Sequence, residues 1–387
     1  MKICMVLMNL DSVKYDTRVR KEASTIVDMG HRVCLVAMKR NDEDLGKNMD
    51  GFELKLFRLW TRKLPKRILI VLLKYLEFNI KVLIRMIVFR ADVYHAHDLD
   101  TLLPAWLSAR FAGAKIIYDS HELFTERPIP LPGFWRLLER FLITRVDAVI
   151  AANDDRAEIM FKEYGARELP TVIMSCPSSV HIPVTDNITL RETLPPEVSD
   201  KRIVLYQGGL SPNRCLESLV VASQYFDERS ILVLMGNSSS FSEEVLKVLV
   251  ARYGLKERVF FRKEVDSKYL VHFISTADIG VVIYKNSCRN NYLCAPNKMF
   301  EYCMAGLPSV GCNFPPIRRI AERYGVPLLF DPENPETIAA SVNALLNNAI
   351  LFACAKASTT AVVTEYNWER EKDKLVNIYG RLFQGKR

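Results

Sequence analysis

Along this chain, short unbroken apolar runs alternate with amphipathic stretches of helical period. KICMVLM (2–8) is expected as a buried strand, and Asp16–Met29 as a helix that stops at Gly30. Arg32–Met38 (RVCLVAM) and Glu53–Leu59 (ELKLFRL) read as further strands. Asp92–His95 then reads as a strand, Thr101–Ala112 as a helix closed by Gly113, and Lys115–Tyr118 and Ala148–Ala151 as short strands, the last followed by a helix to Tyr164. Thr185–Lys201 is polar, carries Pro195-Pro196 and has no apolar period, so it is expected as a linker. The alternation resumes with RIVLYQ from Arg202, ILVLMG from Ile231, RVFF from Arg258 and DIGVVIY from Asp278, and later PSVG and VPLLF. Repeated strand–helix units build doubly wound parallel sheets. The expected class is α/β, with one domain over residues 1–184, a linker over 185–201, a second domain over 202–367 and a closing amphipathic helix in 368–387.

One stretch, Cys294–Pro308 (CAPNKMFEYCMAGLP), concentrates chemistry. Pro296 suits a first helical turn, where its missing N–H costs nothing. Met299, Phe300, Cys303 and Met304 fall on one apolar face. Lys298 and Glu301, three apart, share another flank, where a cation and a carboxylate can meet one ligand. Gly306-Leu307-Pro308 ends the helix before a strand at Ser309–Gly311. A helix whose charged start faces a ligand makes a phosphate site; a capped surface helix with an exposed ion pair is the alternative.

Composition narrows the setting. An apolar fraction of 49% and a charged fraction of 25% suit a globular chain long enough for two cores. Nine cysteines occur without a C-x-x-C pair, which favours a reduced, cytoplasmic setting over a disulfide framework or zinc site. Met1-Lys2 leads into the first strand without a cleavable leader pattern. The net charge of +8 is concentrated: residues 61–90 hold eight basic side chains and one acid, Glu77, among many leucines, isoleucines and valines. The charges recur too often for a spanning helix. A basic, apolar helix suits an anionic membrane surface, with lysines snorkelling from an ordinary domain helix as the alternative. Nucleic acid fits less well, because aromatics do not interleave with the basic residues.

Ligands of parallel α/β sheets bind beyond the carboxyl ends of the strands, so the loops there carry the candidates. In Met8–Arg18, Asp16 is expected to cap the following helix, while Arg18 and Arg20 face an anionic ligand or solvent. No G-x-G-x-x-G occurs in the chain. In Tyr94–Thr101, Asp98 and Asp100 have a D-x-D spacing able to hold a divalent metal. The expected roles are nevertheless structural, Asp100 as helix cap and Asp98 as loop anchor. Of His95 and His97, one is expected to face the ligand, and His97 is nearer the strand end. In Tyr118–Arg127, His121 beside acids such as Glu122 can polarise a ligand or act as general acid or base, or be structural. Gln207–Arg214 offers Gly208 and Gly209 for close phosphate approach and Arg214 to neutralise it, with a plain glycine turn as the alternative. Phe260–Asp266, with Phe261, Arg262 and Val265, can receive a flat base through backbone groups and an apolar wall.

Taken in order, DTRVRKEA, the HAHD and YDSHE loops, YQGGLSPNR, ADIGVVIY followed by PNKMFEYCMAGLP, and YNWEREKDKL resemble glycosyltransferase family 4 over nearly the whole chain. Within it the chain is most similar to bacterial envelope and polysaccharide-assembly members. The resemblance implies a GT-B fold, two Rossmann-like domains facing a central cleft. The first domain would bind the acceptor and the second a nucleotide-sugar donor, with a closing helix that crosses back to the first. By position, Glu301 matches the second glutamate of an E-x7-E motif that binds the nucleotide ribose, and Arg214 stands where the family has a phosphate-binding lysine. His121 matches a histidine near the reacting sugar and pyrophosphate, and Asn297 and Lys298 belong to a P-N-K variant near the donor phosphates. The resemblance thus assigns catalytic roles to His121, Arg214 and Lys298. It assigns donor binding to these two cations with Gly208, Gly209, Phe261, Arg262, Val265, Asn297 and Glu301. The acceptor side falls to Asp16, Arg18, His97, Asp98 and Glu122.

Two positions depart from the family. The first motif glutamate is replaced by Leu293, and an arginine after the second-domain glycine by Gly209; Lys298 is expected to supply part of the lost charge. The implied activity is transfer of a sugar from a nucleoside-diphosphate sugar to an acceptor hydroxyl, with retention and without metal or other cofactor. The expected partners are the nucleotide sugar, a glycan or lipid-linked acceptor and an anionic membrane surface met through 61–90, with no nucleic acid. The expected location is cytoplasmic, peripheral on the inner face of the membrane. A nucleotide-sugar epimerase, or a non-catalytic sugar-nucleotide-binding subunit, are the other readings.

Overall fold

The computed structural model describes residues 1–9, 17–39, 48–65, 67–179 and 188–384. The chain divides into two compact units, Met1–Ser175 with Glu371–Arg387, and Cys176–Arg370.

The first unit is built on an eight-stranded sheet: β1 (Lys2–Asn9), β2 (Arg32–Met38), β3 (Asn48–Met49), β4 (Phe52–Phe57), β5 (Val93–His97), β6 (Lys115–Ser120), β7 (Ala148–Ala151) and β8 (Thr171–Val172). The order is β3-β4-β2-β1-β5-β6-β7-β8, parallel throughout except for β3 against β4. β1 lies between β2 and β5, with Met5 opposite both Leu35 and His95, so the order reverses across it. Ile3, Cys4, Met5 and Val6 are fully buried, which explains why the strand reads as an unbroken apolar run: both faces of a parallel sheet are covered.

Helices α1 (Thr17–Asp28), α2 (Ile68–Phe89), α3 (Leu99–Ala112), α4 (Pro132–Ile143) and α5 (Asp154–Lys162) connect these strands. In α2, Phe78, Val82, Met86 and Phe89 recur at spacings of three and four and form the buried stripe. α2 ends where Arg90 turns left-handed, at φ 50°. Many of its other apolar side chains stay exposed, among them Leu69 (76%), Leu73, Leu76, Ile80 and Ile84, as does Trp60 at 87%. Lys81 lies over the Trp60 ring at 3.9 Å and pairs with Glu77 at 2.7 Å. α4 meets α2 through the Trp135 and Tyr75 rings, 4.9 Å apart, and exposes Phe134, Leu137 and Phe141 beside Arg136 and Arg140. Among the described residues, no single helix is long and apolar enough to cross a membrane.

The second unit carries six parallel strands: β9 (Arg202–Gln207), β10 (Ser230–Met235), β11 (Val259–Arg262), β12 (Ile279–Val282), β13 (Ser309–Cys312) and β14 (Leu328–Phe330), in the order β11-β10-β9-β12-β13-β14. Helix α6 (Asn297–Met304) packs Met299, Phe300, Tyr302 and Cys303 into the unit. The Tyr302 hydroxyl donates to the Leu205 carbonyl at 3.2 Å and accepts the Gln207 N–H at 2.9 Å, fixing the helix over the end of β9. A β-carbon at Gly280 would sit 2.3 Å from the Tyr302 ring, so β12 needs glycine there. The last helix, α7 (Trp368–Gln384), starts in the second unit and from Glu371 is counted with the first, where Leu375, Ile378 and Tyr379 are fully buried.

Three expectations change. Residues 188–201 are not a free linker. Leu190, Leu194 and Val198 are buried, and the Arg191 guanidinium bonds the carbonyls of Ser199, Lys201 and Thr276 and the Asp278 carboxylate. Pro296 is the residue before the helix rather than in its first turn, with extended φ/ψ. Asp98, not Asp100, precedes α3, and its side chain caps no N–H of that helix.

Candidate functional site

In the second unit the candidates gather at the carboxyl end of β9. The Gly208 N–H donates to the Met235 carbonyl at 2.9 Å, and the Gly236 N–H to the Arg262 carbonyl at 2.9 Å, so the loops after β9, β10 and β11 leave the sheet side by side. Gly208 has φ +124°, and a β-carbon on it would lie 3.3 Å from the Lys298 ammonium; one on Gly236 would lie 2.2 Å from the Gly208 carbonyl oxygen. Neither position has room for a side chain without movement.

Lys298, on the first turn of α6, is only 6% exposed. Its ammonium lies 3.8 Å from the Tyr206 ring centroid and 5.2 Å from that of Tyr284, and Nζ has no hydrogen-bond partner among the described residues. Arg214 lies over the other ring of the set, Tyr284, at 4.2 Å. Burial, and then the Arg214 charge, hold the Lys298 ammonium well below the usual lysine range. Ring faces offset part of the cost of burying the cation; a bound anion would offset the rest. Glu301 accepts from the Gln207 side-chain amide, so Lys298 and Glu301 flank the same loop as their spacing predicts. Asn297 is exposed at the helix start, and Gly209, also exposed, accepts the Tyr206 hydroxyl at 3.0 Å.

Phe261 and Val265 are half-buried around the end of β11. Arg262 is committed to the fold: its guanidinium bonds the Thr193 carbonyl at 2.6 Å, the Thr193 hydroxyl at 3.2 Å and the Phe261 carbonyl at 2.8 Å. Leu293 is buried, so the position of the missing glutamate is apolar packing.

The first unit's candidates surround the ends of β5 and β6. His95 and His97 do not differ in facing, although above only one of them is expected to meet the ligand. Residues two apart in a strand share a face, and their rings stack with centroids 4.5 Å apart, both fully buried. His97 Nδ1 lies 3.1 Å from His121 Nε2 and the ring is fully buried, so it faces the interior of the unit instead of an acceptor. Arg18 faces neither ligand nor solvent. It is buried and donates to Glu22 at 2.9 Å, Asp119 at 2.6 Å and the Ile173 carbonyl at 2.8 Å. Arg20 pairs with Asp50 at 2.8 Å. Asp98 does anchor its loop: at φ 65° its N–H donates to the Asp119 carbonyl at 2.8 Å, and its carboxylate accepts the His121 N–H at 2.9 Å. Glu122 is partly exposed and pairs with Arg127 at 2.6 Å. Asp16 lies outside the described residues.

Glu22 and Tyr379 were not singled out by sequence, although the R-V-R-K-E spacing puts Arg18 and Glu22 one helical turn apart. His95 Nδ1 lies 3.0 Å from the Tyr379 hydroxyl. Burial, then the Asp119 charge, push the Glu22 carboxyl up to about 8. Burial works against an ionised Asp119 too, but the Arg18 charge outweighs it and holds that carboxyl well below its usual range. Burial and the adjacent His95 push His97 down to about 3, and burial lowers His95 as well. For His121, burial opposes the charge, but the Asp119 and Asp98 carboxylates draw it up to about 10.

Two family profiles match the chain, "Glycosyl transferase 4-like domain" over residues 15–177 and "Glycosyl transferases group 1" over residues 201–348. The chain is 23% identical over 296 residues to TuaH of Bacillus subtilis, described as a glycosyltransferase of teichuronic acid biosynthesis, covering 64% of this chain and 69% of that one. It is 21% identical over 316 residues to a D-inositol 3-phosphate glycosyltransferase of Thermobispora bispora, covering 75% and 70%. It is 24% identical over 182 residues to a GDP-mannose:cellobiosyl-diphosphopolyprenol alpha-mannosyltransferase of Xanthomonas campestris, covering 46% of each. Among solved structures, Anabaena HepE in complex with UDP and glucose superposes with a TM-score of 0.78 at 17% identity, over 98% of this chain and 100% of that one. The sucrose-phosphate synthase of Thermosynechococcus elongatus gives 0.78 at 17% identity over 100% of both. The two Rossmann-like sheets and these neighbours show a GT-B fold, and the two profiles show a glycosyltransferase with a glycosyl transferase 4-like domain over 15–177 and a glycosyl transferases group 1 domain over 201–348.

Proposed function

We propose that the protein moves a hexosyl group from a nucleoside-diphosphate sugar to a hydroxyl of a lipid-linked or envelope glycan, with retention of configuration and without a metal at the diphosphate. The observation that carries this is the buried Lys298 ammonium, without a hydrogen-bond partner, beside the Gly208 backbone and within reach of the same aromatic ring as Arg214. Negative charge grows on the leaving diphosphate as the anomeric carbon becomes oxocarbenium-like. Two cations and the start of α6 would stabilise that charge more than the ground state. Glu301 takes the ribose, and the end of β11, with Phe261 and Val265, takes the base. By the family resemblance His121, its ring beside the Asp119 carboxylate and its backbone held by Asp98, is the first unit's group for the transfer.

A nucleotide-sugar donor is supported by the UDP-bound Anabaena neighbour and the GDP-mannose-dependent Xanthomonas relative. The names of TuaH and of the Xanthomonas enzyme support an envelope or polyprenol-linked acceptor. The exposed leucines and isoleucines of α2, the basic residues around them and the exposed aromatics of α4 would hold the first unit on the inner face of an anionic membrane.

The test is turnover with a panel of nucleotide sugars, with and without polyprenol-linked acceptors, in magnesium and in chelator. Acceptor-dependent release of nucleoside diphosphate that survives chelator supports the reading. Donor binding with no transfer or hydrolysis would favour a non-catalytic binding subunit, the reading to which Leu293 gives weight. Conversion of the donor to an isomeric sugar nucleotide would identify an epimerase.

A further inference from the structure

From the sequence no metal is expected anywhere in this chain; the first unit nevertheless brings together a set of side chains able to hold a cation. Glu22 from α1, His95 and His97 from β5 and Asp119 from β6 bring one ligand atom each to within 4.8 Å of one another, and all four residues are fully buried. His95 Nε2 lies 3.9 Å from Glu22 Oε2 and 3.7 Å from Asp119 Oδ2; His97 Nδ1 lies 4.0 Å and 3.5 Å from the same two oxygens. These separations exceed hydrogen bonds. Among the described residues, Glu22 Oε2 and His95 Nε2 have no hydrogen-bond partner, although each is a strong polar atom sealed from solvent. Asp119 Oδ2 and His97 Nδ1 meet His121 Nε2 at 3.3 and 3.1 Å; the carboxylate oxygen has a second lone pair for a cation, and His97 would exchange its contact for one.

An atom equidistant from four donors so spaced lies about 2.3–2.5 Å from each, short of the 2.7 Å or more that a water needs and close to the 2.0–2.2 Å of zinc–nitrogen and zinc–carboxylate bonds. From this geometry we propose that Glu22, His95, His97 and Asp119 bind a resident divalent transition cation, with zinc the best match to two imidazoles and two carboxylates. The surroundings are those of a supported metal site. Arg18 donates to the other oxygen of each carboxylate, at 2.9 Å and 2.6 Å, and the Tyr379 hydroxyl engages the far nitrogen of His95 at 3.0 Å. The cation would tie α1, β5, β6 and α7 together behind His121, whose Nε2 lies 3.3 Å from Asp119 Oδ2 at the edge of the site. It takes no part in the transfer chemistry.

The test is the metal content of the full-length protein, by mass spectrometry of the elements, as purified and after refolding from denaturant and chelator with added zinc. The proposal expects about one equivalent per chain, falling below about a tenth in Glu22→Gln and His95→Gln and unchanged in the control His272→Gln. Wild-type protein refolded with cobalt provides a second readout that does not depend on the buried variants folding, the intense visible bands of four-coordinate Co²⁺. Wild type holding less than about a tenth of an equivalent under both conditions, cobalt showing only the pale six-coordinate spectrum, or folded variants that keep full metal would each overturn it.

Discussion

The Lys298 ammonium sits 3.8 Å from the centre of the Tyr206 ring, a buried cation against an aromatic face with no acceptor among the described residues. Burial and the Arg214 charge depress its protonation in the empty site, and a bound diphosphate would restore it. Binding of nucleoside diphosphate should therefore take up protons, and its affinity should fall as pH rises. Calorimetry in buffers of different ionisation heat measures the uptake. Lys298→Met should abolish it and weaken binding by about a hundredfold, on the order of 3 kcal/mol for a charged hydrogen bond. Equal heats in all buffers would contradict the expectation.

Glu139 of α4 gives a pH dependence of stability. It is buried, accepts the Tyr118 hydroxyl at 2.7 Å and the Thr125 hydroxyl at 3.2 Å, and burial pushes its carboxyl up to about 7. A carboxyl whose folded pKa exceeds its unfolded value binds its proton more tightly when folded. Its contribution is therefore present below the unfolded value, near 4.5, and lost as pH rises through about 7. Glu139→Gln should match wild type near pH 4 and exceed it by on the order of 2 kcal/mol at pH 8 in urea melts.

Gly280 faces the Tyr302 ring with no room for a β-carbon. Gly280→Ala should cost about 2–4 kcal/mol, because the ring is pinned at the other end by bonds to Leu205 and Gln207. The same variant should weaken nucleotide binding, since lifting α6 moves Lys298 and Glu301. A melt within about 0.5 kcal/mol of wild type would contradict the packing account.

Arg62 and Lys63 are exposed and lie just before α2. If this face meets an anionic membrane, Arg62→Gln with Lys63→Gln should reduce binding to phosphatidylglycerol vesicles about thirtyfold, at about 1 kcal/mol per basic residue. Co-sedimentation measures it; no binding by wild type would remove the membrane from the account.

The strand–helix alternation made both parallel sheets legible, because buried parallel strands such as β1, β9 and β10 are unbroken apolar runs between punctuating glycines and polar loops. The two-residue strands β3 and β8 are too short to carry a period. The segment 188–201 hides its anchoring leucines among prolines and acids. In the second unit, Gly208, Lys298 and Glu301 could be placed together because one helix and one turn supply them. In the first, the surroundings of Arg18 and His97 are not legible in the sequence, since what decides them is partners distant along the chain: Asp119, Ile173 and His121. Glu22 and Tyr379 could not be found at all without the fold, which brings α1, β5 and α7 to one point.

The central claim is that the second unit binds a nucleoside-diphosphate sugar through Lys298, Arg214 and the Gly208 turn. Its most direct test is a thermal-shift screen of wild type and Lys298→Met against nucleotide sugars and their free diphosphates, with and without magnesium. The account predicts stabilisation of wild type by one donor and its diphosphate, indifferent to magnesium and largely lost in the variant. Stabilisation that requires magnesium, or that survives unchanged in Lys298→Met, would contradict it.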